Sequence, residues 1–288
     1  MRTFLDCYPC FLRQVLATLR LVTDDEAEQK RILDLVMARL PTLPLAASPP
    51  EIAEVIYGLL ARETGIEDPY RELKAAANRR ALASLPELEA LLAAAPDRLR
   101  TAVALAVAGN LMDLGVQHEG FKAAEEIAAH LPREFAIDDE PLFRRRLQTA
   151  ASLLYIGDNA GEIVADRLLL AEIRRERPEL ELTFVVRGGP IINDVTIEDA
   201  RQVGMDAIAE VIASGCRAPA LLPGKMGAAV ERRFRTADLV IAKGQGNYEA
   251  LSQEKRPLFF LLQCKCPVVG RDLGVAVGSA VFKAHRGA

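Results

Sequence analysis

From about residue 145 onward, short apolar or β-branched runs alternate with amphipathic stretches of helical period. Such alternation is the sequence form of repeated βαβ units. It commits this half of the chain to a parallel or mostly parallel sheet covered by helices on both faces. Strands are expected over Ser152–Ile156, Leu182–Val186, Glu210–Ala213, Leu239–Ala242 and Leu258–Leu262, with Pro267–Val269 closing the series. Helices are expected between them over Gly161–Arg175 and Gly224–Arg235.

The first part of the chain has a different texture. Leu5 to His130 is rich in Ala, Leu, Arg and Glu and reads as helical. Pro9 lies near the start of a first helix carrying Phe11, Val15, Leu16 and Leu19 on apolar spacings. Ile32, Leu35, Val36 and Leu40 mark a second, stopped by Pro41 and Pro44, and Pro49-Pro50-Glu51 opens another. Ala81–Ala95 reads as a short helix or a pair, and Arg98–Leu114 is apolar nearly all round, which predicts deep burial. The organisation expected is a helical region over 1–145 joined to an α/β domain over 146–288 that carries the site.

Composition narrows the function. With 36 Lys plus Arg against 40 Asp plus Glu, the formal net charge of −4 provides no general cationic field for a nucleic-acid backbone. Asp6 falls where a signal peptide needs an apolar run, and the longest apolar stretch, Ala102–Met112, is too short to span a bilayer. Five cysteines, an odd number, fit a reducing cytoplasm rather than a disulfide scaffold. Cys7-x-x-Cys10 is half of a metal site, and packing is its simpler role. Only three histidines occur, so a metal site must be built from oxygen or sulfur ligands.

The informative residues follow the strands. The first run ends in Gly157-Asp158-Asn159-Ala160-Gly161-Glu162 and the second in Arg187-Gly188-Gly189-Pro190, leading to Asn193-Asp194. The fourth ends in Lys243-Gly244-Gln245-Gly246-Asn247. All strand carboxyl ends of an open parallel sheet lie along one edge, where ligands bind. Asp158, Asn159 and Asp194 offer hard oxygens suited to Mg²⁺ or Mn²⁺, and less commonly Co²⁺ or Ni²⁺. Arg187 and Lys243 offer positive charge for a phosphate. Each piece alone has a plain reading as a turn, a cap or a solvated side chain; their convergence is what argues for a site. The chemistry is metal-assisted phosphoryl hydrolysis, with Asp158 or Asp194 as base or nucleophile and Asn247 orienting phosphate or substrate hydroxyls. Lys74 and Asn78 share a helix face, as do Asn110 and Asp113. Both pairs read either as substrate-positioning groups or as a solvated lysine and buried, hydrogen-bonded polar residues.

The strings YIGDNAGEIVAD, RGGPIINDVTIEDA, AKGQGNYE and KCPVVG resemble the damage-control phosphatase family, formerly domain of unknown function 89, in its short microbial type. CYPC at 7–10, DPYRELKAAAN at 68–78 and AVAGNLMDLG at 106–115 extend the resemblance over nearly the whole chain. It implies a helical N-terminal part, a Rossmann-like three-layer α/β/α part, and a metal held by Asp158, Asn159 and Asp194. It also implies hydrolysis of small phosphorylated metabolites, such as damaged or surplus sugar phosphates or cofactor precursors. The rival class is a non-catalytic nucleotide or phosphometabolite-binding protein using the same edge. A Rossmann dehydrogenase or methyltransferase is disfavoured because Asp158 stands where a pyrophosphate needs bare backbone.

Overall fold

A computed structural model describes residues 1–109, 131–132 and 134–287. Among the described residues six α-helices come first: α1 (Cys7–Val22), α2 (Glu26–Arg39), α3 (Pro49–Thr64), α4 (Arg71–Ala83), α5 (Leu85–Ala94) and α6 (Arg98–Ala108). Local chemistry sets their ends. Asp25 accepts the Ala27 N–H at the start of α2, and Ser48 with Glu51 forms a capping box ahead of Pro49 at the first turn of α3. Helices α1–α3 share a core of Phe11, Val15, Leu19, Ile32, Val36, Ile52, Ile56 and Leu60. Helix α6 is buried from Ala102 to Ala108, as its all-round apolar surface requires.

The remaining elements are β1 (Ile137–Asp138), α7 (Glu140–Leu147), β2 (Ser152–Ile156), α8 (Glu162–Glu176), β3 (Glu181–Val186), α9 (Ile197–Gln202), β4 (Glu210–Ala213), α10 (Ala228–Thr236), β5 (Leu239–Lys243), α11 (Gly244–Leu251), β6 (Leu258–Gln263), α12 (Pro267–Leu273) and β7 (Ala280–His285). The strands form one sheet in the order β1-β7-β6-β5-β2-β3-β4. Every pairing is parallel except β6 with β7. Alternate residues of each strand feed opposite cores. Leu153 and Tyr155 of β2 face the core that contains α6 and α8, while Leu154 and Ile156 face Val230, Phe234, Tyr248 and Val268. The result is the expected three-layer α/β/α architecture.

Two details differ from the sequence reading. Pro267–Val269, expected as a strand, is the first turn of α12: Pro267 occupies N1, where its missing N–H costs nothing, and Val268, Val269 and Leu273 face inward. Strands β1 and β7 were not anticipated; β1 lies before residue 145 yet pairs with β7 at the sheet edge. Among the described residues no helix is long and apolar enough to cross a membrane.

Candidate active site

Strand β2 has β5 on one side and β3 on the other. The chain therefore winds outward in both directions from β2, and the carboxyl ends of β2, β3 and β5 border the crevice of a topological switch point. The loops leaving these strands are stitched together. Val195 N–H donates to Asp158 O and Ala160 N–H to Asn193 O, each at 2.9 Å, so Asn159 and Asp194 lie opposite one another in a short antiparallel bridge.

Arg187, at the end of β3, is buried between two carboxylates. Its Nε donates to Asp194 Oδ2 at 2.6 Å and its Nη2 to Asp158 Oδ1 at 3.5 Å. Its Nη1 is buried and has no hydrogen-bond partner among the described residues. Asp158 and Asp194 thus face the same guanidinium from two loops. Gly244 allows a very close approach: at φ +80°, a Cβ there would lie 1.8 Å from Asp158 Oδ2. Ile192, two residues before Asp194, has φ +46°, a left-handed conformation that is strained for a β-branched residue.

A second layer supports the first. Asn159 Nδ2 donates to Asp158 Oδ2 at 3.2 Å and to Glu162 Oε1 at 2.9 Å, so its amide nitrogen is committed to carboxylates. The assignment of amide oxygen and nitrogen follows from these partners. Lys243 Nζ, fully buried, donates to Ala106 O at 2.7 Å and Glu162 Oε2 at 3.3 Å, and lies 3.1 Å from Asp166 Oδ1. Asp166 Oδ1 also accepts the Tyr155 hydroxyl at 2.7 Å.

Four buried carboxylates, Asp158, Glu162, Asp166 and Asp194, thereby surround two buried cations, Arg187 and Lys243. Burial pushes the Asp158 carboxyl well above its ordinary range, and the charges of Glu162 and Asp194 push it further, against Arg187 and Lys265. Burial also raises Glu162 and Asp166. For Lys243 burial acts to lower the pKa, but Asp166, Glu162 and Asp158 outweigh it and the ammonium is held charged.

The other expected residues occupy distinct positions. Asn247 gives both amide hydrogens to backbone, Gly157 O at 3.1 Å and Lys243 O at 2.6 Å, and accepts Leu221 N–H at 2.8 Å. It fastens the ends of β2 and β5 together. Lys74 pairs with Asp68 at 3.0 Å and Asp199 at 3.3 Å. Asn78 donates to Asp199 Oδ1 at 3.1 Å and Gln202 Oε1 at 2.9 Å and accepts Gly161 N–H at 2.7 Å, joining α4 to the start of α8. Asn110 and Asp113 lie outside the described residues. The sequence reading passed over Lys265, an exposed residue after β6 whose charge reaches both Asp158 and Glu162. Its signal was the same strand-end position that singled out the other loops. Glu162 was equally legible, three residues after Asn159. Cys7, Cys10, Cys216, Cys264 and Cys266 are all free thiols, and burial raises the pKa of Cys7 and Cys10.

The donors suit a hard divalent cation. Among the described residues no three His, Cys, Asp or Glu side chains are arranged to hold a metal by themselves. The set here is instead two carboxylates and an amide whose nitrogen is already taken, so that Asn159 Oδ1 is the amide atom that could ligate a cation. The surplus of buried negative charge is what such a cation would offset, and Arg187 Nη1 is a donor suited to an oxyanion.

Fold and site together define a Rossmann-like α/β protein with a carboxylate-rich crevice at its switch point, two of whose carboxylates are bridged by a buried arginine. Residues 3–281 match the family described as the damage-control phosphatase ARMT1-like domain. A protein of Archaeoglobus fulgidus named damage-control phosphatase is 37% identical over 288 residues, covering 96% of this chain and 97% of the relative. A damage-control phosphatase of Pyrococcus horikoshii is 32% identical over 285 residues, covering 98% of this chain and 97% of its own. The crystal structure of a DUF89 family protein from P. horikoshii aligns with a TM-score of 0.92 at 30% identity, over 99% of this chain and 100% of that one. This chain belongs to the damage-control phosphatase family.

Proposed function

We propose that the chain is a metal-dependent phosphoric monoester hydrolase acting on small phosphorylated metabolites, damaged or surplus sugar phosphates or cofactor precursors among them. The observation that carries this reading is Arg187, gripped by Asp158 and Asp194 with one buried N–H group uncommitted. Asp158, Asn159 and Asp194 would hold a divalent ion, manganese or magnesium by the hardness of the oxygens, with cobalt or nickel as less common occupants. A bound ion there would supply Lewis-acid polarisation of a phosphoryl oxygen.

The chain's own groups account for the rest. Arg187 Nη1 donates to a phosphoryl oxygen, and Lys265 adds positive charge at the open side of the crevice. Lys243 acts as a positioning residue: through Glu162 it holds the Asn159 amide in one orientation. Asn247 likewise positions the strand ends, and Lys74 and Asn78 secure the helical wall beside Gly161. In hydrolysis, water oxygen bonds to phosphorus and the ester P–O bond breaks. The ester electron pair and a proton go to the leaving alcohol, and Asp158 or Asp194 would serve as the base that relays that proton or as the nucleophile. The partners are small molecules, with no role for nucleic acid or a membrane, and the location is cytoplasmic.

The test is phosphate release from a panel of small phosphomonoesters with each divalent ion and with chelator. Release should require the ion and fall more than about 100-fold in Asp194→Asn, with the variant still folded by circular dichroism. Release that survives thorough chelation would defeat the proposal.

A further inference from the structure

Strands β5 and β6 run parallel with Lys243 level with Leu261, so the loops that leave them are neighbours at the carboxyl edge. Each loop carries a residue that bears on Asp158. Gly244, after β5, is the residue against which the Asp158 carboxylate packs. Lys265, after β6, is the cation whose charge reaches Asp158 and Glu162. Gln245, in the first turn of α11, joins the two loops. Its Oε1 accepts the Lys265 N–H at 2.9 Å, and its Nε2 donates to Glu249 Oε1 at 2.9 Å and to Cys266 Sγ at 3.5 Å.

These contacts fix both the place of the amide and the way round it sits. Glu249, four residues further along α11, takes the amide nitrogen, so the oxygen turns to Lys265. The neighbours of Lys265 are anchored elsewhere. Cys264 N–H donates to Ser279 O at 2.9 Å, Cys264 O accepts Gly278 N–H at 2.7 Å, and Cys266 O accepts Gly270 N–H at 3.0 Å as α12 begins. Lys265 lies between these anchors, and its own N–H is held by Gln245. A lysine carries its charge on a flexible four-carbon stem, so the region its ammonium sweeps is centred on where its main chain is held.

We propose that Gln245 is a positioning residue for the hydrolysis: through the Lys265 N–H it holds that lysine opposite Asp158, where the phosphoryl group binds, and Glu249 keeps the Gln245 amide turned to do so. Gln245 itself touches neither metal nor substrate. This rests on the phosphatase reading of the site.

The test is a double-mutant cycle in the full-length chain with excess Mn²⁺, 4-nitrophenyl phosphate as substrate and inorganic phosphate as inhibitor. Gln245→Met, of similar volume, should lower kcat/KM and weaken phosphate inhibition about tenfold each. In a Lys265→Met background, itself impaired, the same change should cost less than about twofold, because the lysine it positions is gone. Gln245→Glu alone sets two carboxyl groups against each other and should be as poor as Gln245→Met. Adding Glu249→Gln restores one donor and one acceptor between the two positions and should return kcat/KM to within about threefold of the wild type. If Gln245→Met fails to fold, Gln245→Glu and this exchange carry the test in both backgrounds. A loss of equal size with and without Lys265, an undiminished Lys265→Met, or no rescue by the exchange would overturn the positioning role and leave the phosphatase standing. If the wild type hydrolyses nothing, the phosphatase reading fails, and the role of Gln245 is judged by calorimetric binding of inorganic phosphate. A Kd weakened by Gln245→Met only when Lys265 is present supports it; an unchanged Kd, or no binding, rejects it.

Discussion

At the residue scale, the site depends on a few atoms with no freedom to move. Gly244 is the sharpest example, since its missing Cβ is the space occupied by Asp158 Oδ2. Gly244→Ala should displace that carboxylate, weaken divalent-ion binding at least about tenfold by calorimetric titration, and lower turnover in proportion. Lys243 makes a different point. A sequence places it among phosphate ligands because it ends a strand, yet its ammonium is satisfied inside the protein by Ala106, Glu162 and Asp166. Lys243→Met leaves two buried carboxylates without their cation and should cost about 3–5 kcal/mol in urea unfolding. A stability change well below that would show the ammonium to be more loosely bound than its geometry indicates.

At the element scale, the helical region is locked to the sheet through α4 rather than merely stacked on it. Asn78 ties α4 to Gly161 ahead of α8 and to Asp199 and Gln202 of α9. Asn78→Ala strands several buried partners and should destabilise the fold by about 2–4 kcal/mol. Because Gly161 belongs to the loop that carries Asp158, the same variant should also weaken metal affinity; retention of full affinity would show that this loop is held independently of α4. The elements themselves were largely legible in sequence. Strands β2, β3, β5 and β6 fall at the apolar runs, because strands buried on both faces have no polar side to blur the pattern; the edge strand β4, exposed at both ends, shows only a short run. Strand β7 escaped because only Ala280–Phe282 of it is buried, and α12 was misread because a run of three apolar residues carries no period.

At the scale of the whole molecule, burying more acid than base makes stability depend on protons and cations. A carboxyl whose pKa is higher in the folded state holds its proton more tightly there, so its contribution is present at low pH and lost as pH rises through the folded value. Asp158, Glu162 and Asp166 all shift in that direction. Glu249, away from them, is pushed up from 4.5 to about 7 by burial, against a hydrogen bond from Gln245. Glu249→Gln should therefore gain stability over the wild type as pH rises from about 4.5 to 8, by about 3 kcal/mol in urea unfolding, and a pH-independent difference would contradict the shift. What the sequence by itself determined was the layer order, the parallel sheet and the identity of the loops at its carboxyl edge, because these follow from hydrophobic period and from the geometry common to open α/β sheets. Only the tertiary structure decided which polar groups face the crevice and which are consumed in holding it. Lys243, Asn247 and Lys265 all sit at strand ends, and no period or spacing records where a long side chain turns or which distant carboxylate it meets.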